Sequence, residues 1–246
     1  MLGLGLDSST YLSYPITPTS YSGIVRWYKN PSDETGSSWP DQLGAQNLSQ
    51  TEANHKPAHD PNDDPAFYDF DGSDSFGAGG AYQLEMSNTD KWEIMLVLKI
   101  DSHTATNTII GGEMHSVASR IRFKDNNTIN LSHSLASNSG TQTDINFNGT
   151  PFAAGTDLKV LFIQKGTSGV WSAMDGTDGD SAVTIVRADN TTADGDIGFR
   201  FLGAADNSGT DGFDGKIYEM AIWSSFLEEE NRDELVSTYL KTKYSL

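Results

Sequence analysis

Apolar and polar positions alternate along most of this chain with the period of two that marks β-strands. In "WEIMLVLKI", residues Trp92, Ile94, Leu96, Leu98 and Ile100 share one face. Met95 and Val97 lie on the other, between Glu93 and Lys99. With both faces apolar, this segment reads as a strand covered on both sides. "DGKIYEMAIW" (214–223) reads the same way, with Ile217, Ala221 and Trp223 expected on one face and Tyr218, Met220 and Ile222 on the other. "SRIRFKD" differs: Ile121 and Phe123 point one way while Arg120, Arg122 and Lys124 point the other. That is a half-solvated strand bearing the chain's only concentrated positive ridge. Further strands are expected at 108–114, 128–135, 144–147, 158–164, 170–174, 183–186 and 197–202. Turn-forming runs such as "KDNNTIN" and "DNSGTDGFDG" separate them.

The period changes to that of a helix between about Glu228 and Lys243. Leu235 and Tyr239, Val236 and Leu240, and Leu240 and Tyr244 stand one turn apart and form a single apolar stripe. Glu228, Glu229, Glu230 and Asp233 crowd its first turns and Lys241 and Lys243 its last, which complements the helix dipole. Residues 31–90, with five prolines and long polar stretches, predict an irregular layer wrapped around one edge. No internal repeat is visible.

At 246 residues, many short strands suit one all-β domain. A formal charge of −18 argues against nucleic acid and anionic membranes as partners. Without Cys, neither disulfides nor thiolate metal sites exist, so packing must supply the stability. The first residues lack the basic start of a secretory signal, and no stretch approaches the ~18 apolar residues of a membrane span. Most acidic residues are Asp, a turn and cap former, which fits a loop-rich β protein. In the opening arm Leu2, Leu4 and Leu6 alternate with glycine ahead of Tyr11 and Tyr14. Such an arm either adds a strand to its own domain or docks on another chain.

Four segments, in order, resemble laminin G-like domains of the concanavalin A type: "GIVRWYKN" (23–30), "WPDQLGAQNLSQ" (39–50), "KPAHDPNDDPAFYDFDGSDSF" (56–76) and "DGKIYEMAIW" leading to "YLKTKY". The resemblance implies an all-β, two-sheet antiparallel jelly-roll sandwich with a short C-terminal helix, spanning 23–246 after an arm of 1–22. The similarity is nearest to such domains in tailed-phage structural proteins. It implies a non-enzymatic virion component, a capsid decoration or a tail or fibre part, assembled in the host cytoplasm. Leu2, Leu4, Leu6, Tyr11 and Tyr14 would then bind other virion proteins, with homo-oligomerisation left open. A free carbohydrate-binding module, calcium-dependent or not, is the alternative, and a glycoside hydrolase the third reading.

Retaining glycoside hydrolysis needs two carboxylates about 5–5.5 Å apart. The Glu-x-Asp triplet that places them in related glucanases does not occur here, and Glu85, Glu93, Glu113 and Glu219 are isolated in sequence. Nucleophile-elbow, phosphate-loop and His-Glu-x-x-His patterns are also missing. His55 and His59 flank Pro57, which excludes the helix that would make their spacing useful for a metal. Calcium is the cofactor candidate, with Asp69, Asp71 and Asp74, then Asp175, Asp178 and Asp180, then Asp206, Asp211 and Asp214 as ligand groups, although turn formation explains each of them. For carbohydrate, Trp171 and Tyr82 beside turn residues are the expected stacking platforms, whereas Trp27, Trp92 and Trp223 belong to the core.

Overall fold

The computed structural model describes residues 15–29, 31, 33, 35–60, 62–78, 84–86, 90–103, 107–114, 117–134, 140–155, 158–166, 171–175, 186–190 and 196–246. Their early strands are β1 (Ile24–Lys29), β2 (Ser38–Trp39), β3 (Leu48–Ser49), β4 (Tyr68–Asp71), β5 (Phe76–Ala78) and β6 (Leu84–Met86). The long central strands follow: β7 (Trp92–Ile100), β8 (Asn107–Met114), β9 (Val117–Asp125), β10 (Thr128–Ser134), β11 (Gly140–Asn146) and β12 (Lys159–Lys165). The last are β13 (Trp171–Asp175), β14 (Val186–Asn190), β15 (Ile197–Phe199), β16 (Phe201–Leu202) and β17 (Asp214–Trp223).

Two antiparallel sheets face each other. The seven-stranded sheet runs β1-β17-β7-β12-β13-β14, with β4 also paired to β17. The eight-stranded sheet runs β11-β10-β9-β8-β16-β5-β3-β2. Alternate residues of both meet in a core that includes Ile94, Leu96, Leu98, Phe70, Phe76, Ile121, Phe123, Ile129 and Leu131. A ribbon of β6 and β15 accompanies them. Its Gly198 backbone lies so close to Gly112 that a side chain at 112 would meet the Gly198 carbonyl at 2.2 Å, and Ser119 Oγ accepts the Gly198 N–H at 3.1 Å.

β7 behaves as its pattern predicts, with Met95 and Val97 on the face away from the inter-sheet core. β17 does not. The register slips between Ile217 and Glu219, a β-bulge, and the extra residue reverses the alternation beyond it. Ile217, Met220 and Ile222 therefore face the inter-sheet core, while Tyr218, Ala221 and Trp223 face outward beneath the C-terminal helix. The expected grouping of Ile217 with Ala221 and Trp223 is corrected accordingly.

Residues 31–90 also depart from expectation. β4 pairs within the seven-stranded sheet, and β2, β3 and β5 extend the other. Each has only two to four residues, too few to display a period. The stretch 197–202 breaks at Arg200, leaving β15 in the ribbon and β16 between β5 and β8. β14 starts at Val186, and 183–185 lie outside the described residues.

The terminal helix has α-helical turns at Glu229–Glu234 and Lys241–Tyr244 around a π-helical segment, Leu235–Leu240. The Lys241 N–H reaches the Val236 carbonyl, five residues back. Leu235, Val236, Leu240 and Tyr244 are buried against Met95, Val97, Phe162 and Trp223, forming a second apolar layer. Ile16 and Tyr21 pack against the same layer, and Tyr21 Oη donates to Glu234 at 3.0 Å. No described helix is long and apolar enough to cross a membrane.

Candidate functional site

The residues first expected to carry function mostly escape description: Leu2, Leu4, Leu6, Tyr11, Tyr14 and Tyr82 lie outside the described residues, and of Trp171 only its backbone place in β13 is given. The remaining Trp expectations fall where they were placed, with Trp27, Trp92 and Trp223 at 6%, 2% and 0% exposure.

Two of the isolated glutamates hold the helix to the sheet. Glu219, fully buried at the bulge, accepts Trp27 Nε1 at 2.7 Å, Tyr239 Oη at 3.1 Å, Lys243 Nζ at 2.8 Å and Tyr244 Oη at 2.6 Å. Tyr239 and Tyr244 are five residues apart, so in a regular α-helix they would diverge. Here Tyr239 lies within the π-helical segment Leu235–Leu240 and Tyr244 follows it, and both hydroxyls reach one carboxylate. Glu93 accepts the Leu227 N–H at 2.8 Å and Gln164 Nε2 at 3.1 Å, with Arg232 at 3.6 Å. Burial pushes its pKa up, against the pull of these partners. Both carboxylates are covered by the helix and serve as its anchors.

The aspartates form turns. Asp41 accepts the N–H groups of Trp27, Leu43 and Gln46, which closes the turn after Trp39. Asp71 Oδ1 accepts Ser73 N at 2.9 Å and Oγ at 2.6 Å, while Gly72 takes φ +88°. Asp74 accepts the Asp71 N–H at 3.1 Å. Asp206 accepts Ser208 N and Thr210 N, Asp211 pairs with Arg120, and Ser102 Oγ donates to Asp214. These internal engagements make the first and third acidic groups poor fits for calcium, and among the described residues no cluster of three His, Asp or Glu could hold a metal. Asp178 and Asp180 lie outside the described residues. His55 and His59 are tied by Nδ1 to the carbonyls of Ser73 and Phe67.

One stretch of the seven-stranded sheet projects beyond the helix and combines aromatic and charged groups. On the outer face of β4, β17 and β7, Asp69 stands opposite Lys216, and Lys216 opposite Lys99. Lys216 Nζ lies 4.0 Å from Asp69 and 4.4 Å from the Phe67 ring centre. Lys99 lies 3.9 Å from Asp101. The Phe67 and Tyr218 rings pack at 5.1 Å, and Tyr218 meets Tyr244 of the helix edge-on at 5.8 Å. Asp69 has its pKa raised, first by burial, with nearby Asp101, Asp214 and Asp63 adding and Lys216 opposing. The Tyr218 hydroxyl is likewise raised, by burial and then by Asp101, Asp63 and Asp69. Carboxylate acceptors, ammonium donors and the half-buried Phe67 ring thus converge within one partly solvated strip, with Tyr218 packed against Phe67 at only 8% exposure. Alternation already sets Tyr218 on the face opposite Ile217, but the pairing of the short strand β4 with β17, which brings Phe67 and Asp69 to that face, has no period in the sequence.

No family model matches the chain, and no curated relative matches it. Solved structures do match in fold. The binding domain of Paraclostridial mosquitocidal protein 1 superposes with a TM-score of 0.58 at 11% identity, covering 88% of this chain and 52% of that one. The receptor-binding domain of botulinum neurotoxin type G gives 0.54 at 10% identity, over 89% and 52%. Trypanosoma rangeli sialidase with the inhibitor DANA gives 0.57 at 11% identity, over 92% and 35%. The chain spans about half the length of the toxin domains and about a third of the sialidase. At such identities the likeness establishes a two-sheet antiparallel jelly-roll sandwich, here with a C-terminal helix, as the sequence motifs implied, and extends no further than fold.

Proposed function

We propose that the chain is a non-catalytic recognition module that binds neutral carbohydrate on the outer strip of β4, β17 and β7. The observation that carries this reading is the Phe67–Tyr218 ring pair beside Asp69, Lys216, Lys99 and Asp101. Carboxylates and ammonium groups hydrogen-bond vicinal hydroxyls, and ring edges and faces cover the C–H side of a sugar. Among the described acidic residues, Glu93 and Glu219 are occupied in anchoring the helix, which supports recognition over hydrolysis. The two toxin domains are named for binding, a parallel at the level of fold alone. Recognition is expected to be independent of calcium, so EDTA should shift the melting temperature by less than about 1 °C; a larger fall would reinstate a bound ion. Glycan-array binding that drops about tenfold in Phe67→Ala and in Asp69→Asn supports the site. Undiminished binding by both variants rejects it.

A second reading makes the module a tailed-phage virion component, with Leu2, Leu4, Leu6, Tyr11 and Tyr14 fastening it to a neighbouring structural protein. It is favoured by the anchoring of Ile16 and Tyr21 along the helix, which fixes the point from which the preceding residues start. Removal of residues 1–14 should leave a folded domain that no longer joins its assembly. Normal incorporation would exclude this role for the arm.

A further inference from the structure

The outer face of β9, β10 and β11 carries a second, chemically different arrangement. Arg122, Asn130 and Asp144 stand in one cross-strand row. Asn130, only 1% exposed, accepts Arg122 Nε at 2.8 Å and donates through Nδ2 to Asp144 Oδ1 at 2.6 Å. The other two cations of the ridge are neutralised: Arg120 by Asp211, and Lys124 by Asp144 at 2.6 Å. Arg122 hydrogen-bonds only the neutral Asn130 amide among the described residues, and the two carboxylates whose charge reaches it, Asp211 and Asp144, are paired to Arg120 and Lys124. Burial, and then the charge of Arg120, lowers its pKa against the opposing pull of Asp211 and Asp144, so the guanidinium is partly desolvated and its like-charge neighbour is not fully offset. An arriving anion would relieve both.

We propose that Arg122 forms an oxyanion site for the carboxylate of an acidic sugar. Its Nε bond to a buried amide fixes the guanidinium plane, so little side-chain freedom is lost when the outward fork takes a two-oxygen group. Gln142 and Asn146, both exposed, flank Asp144 on the same face of β11. They supply amide donors and acceptors for the hydroxyls beside the carboxylate. The chain's charge of −18 repels anions at long range, but at 0.15 M salt the screening length is about 8 Å, so the local guanidinium governs contact. This site lies on the opposite sheet from the Phe67 strip and stands independently of it.

Heteronuclear NMR titration of the full chain at 0.15 M salt, with methyl glucuronide, methyl glucoside 6-sulfate, inorganic phosphate and neutral methyl glucoside, tests the assignment. The glucuronide should move amide signals of residues 121–123, 129–131 and 143–145, whereas the neutral glucoside should not. Affinity should fall about tenfold in Arg122→Gln and nearly as far in Arg122→Lys, which keeps the charge and loses the fork. Phe67→Ala should leave it unchanged, which separates this site from the neutral-sugar strip. Wild-type affinity in Arg122→Gln, or no shift on this face with the glucuronide, overturns the proposal. Tighter binding of sulfate ester or phosphate than of glucuronide overturns the carboxylate assignment.

Discussion

Asp74 shows how one side chain sets a pH dependence. Burial pushes its carboxyl up to about 7, the Asp71 N–H opposing and the Asp71 carboxylate adding. An acid whose pKa is higher folded than unfolded takes up a proton on folding. Its contribution is therefore fully present below about 4 and is lost as pH climbs through about 7. Asp74→Asn keeps an acceptor for the Asp71 N–H and removes the titration. Urea unfolding should find the variant more stable than wild type by about 1–2 kcal/mol at pH 8, a figure discounted for partial solvation, and equal to it near pH 4. Glu219 has the opposite role. Glu219→Ala strands Lys243, two tyrosine hydroxyls and the Trp27 N–H in a buried site, and should cost about 3–5 kcal/mol. Glycine marks a third sensitive point. Gly203 has φ +87°, and a Cβ there would lie 2.2 Å from the buried Phe70 ring. Gly203→Ala should cost about 2–4 kcal/mol in the same measurement.

At the level of elements, sequence reading succeeds where a strand is long enough for several alternations. β7 and β9 carry their faces openly, and the apolar stripe of the helix survives the π-helical widening because Leu235, Val236 and Leu240 stay buried. It fails where tertiary context decides. The bulge in β17 adds one residue with no local signature, since both faces of that strand are apolar and either parity reads as plausible. β2 to β5 are too short to have a period, and only their neighbours recruit them. The candidate strip depends on the second of these features: Phe67 precedes a four-residue strand, and only the pairing of β4 with β17 sets it beside Tyr218. The Arg122 ridge was legible because β9 alternates cleanly, whereas the pairing of Asp211 with Arg120 and of Asp144 with Lys124, which leaves Arg122 bonded to Asn130, is set by the fold.

For the whole molecule, the two faces of the seven-stranded sheet divide the labour. The inner one joins the eight-stranded sheet in a core rich in aromatic rings. The outer one is sealed by the helix over most of its apolar area, and Leu43 is the only freely exposed large apolar side chain among the described residues. What the helix leaves open is a charged and aromatic strip, the arrangement that motivates recognition of polyhydroxyl ligands. Titration of the isotope-labelled protein with neutral glucose-, galactose- and N-acetylglucosamine-based oligosaccharides tests this most directly. At least one series should shift amides of residues 67–71, 99–101 and 214–218 at sub-millimolar to millimolar concentration, an affinity near 4–6 kcal/mol. Shifts confined to other surfaces, or turnover of the oligosaccharide during the titration, would contradict it.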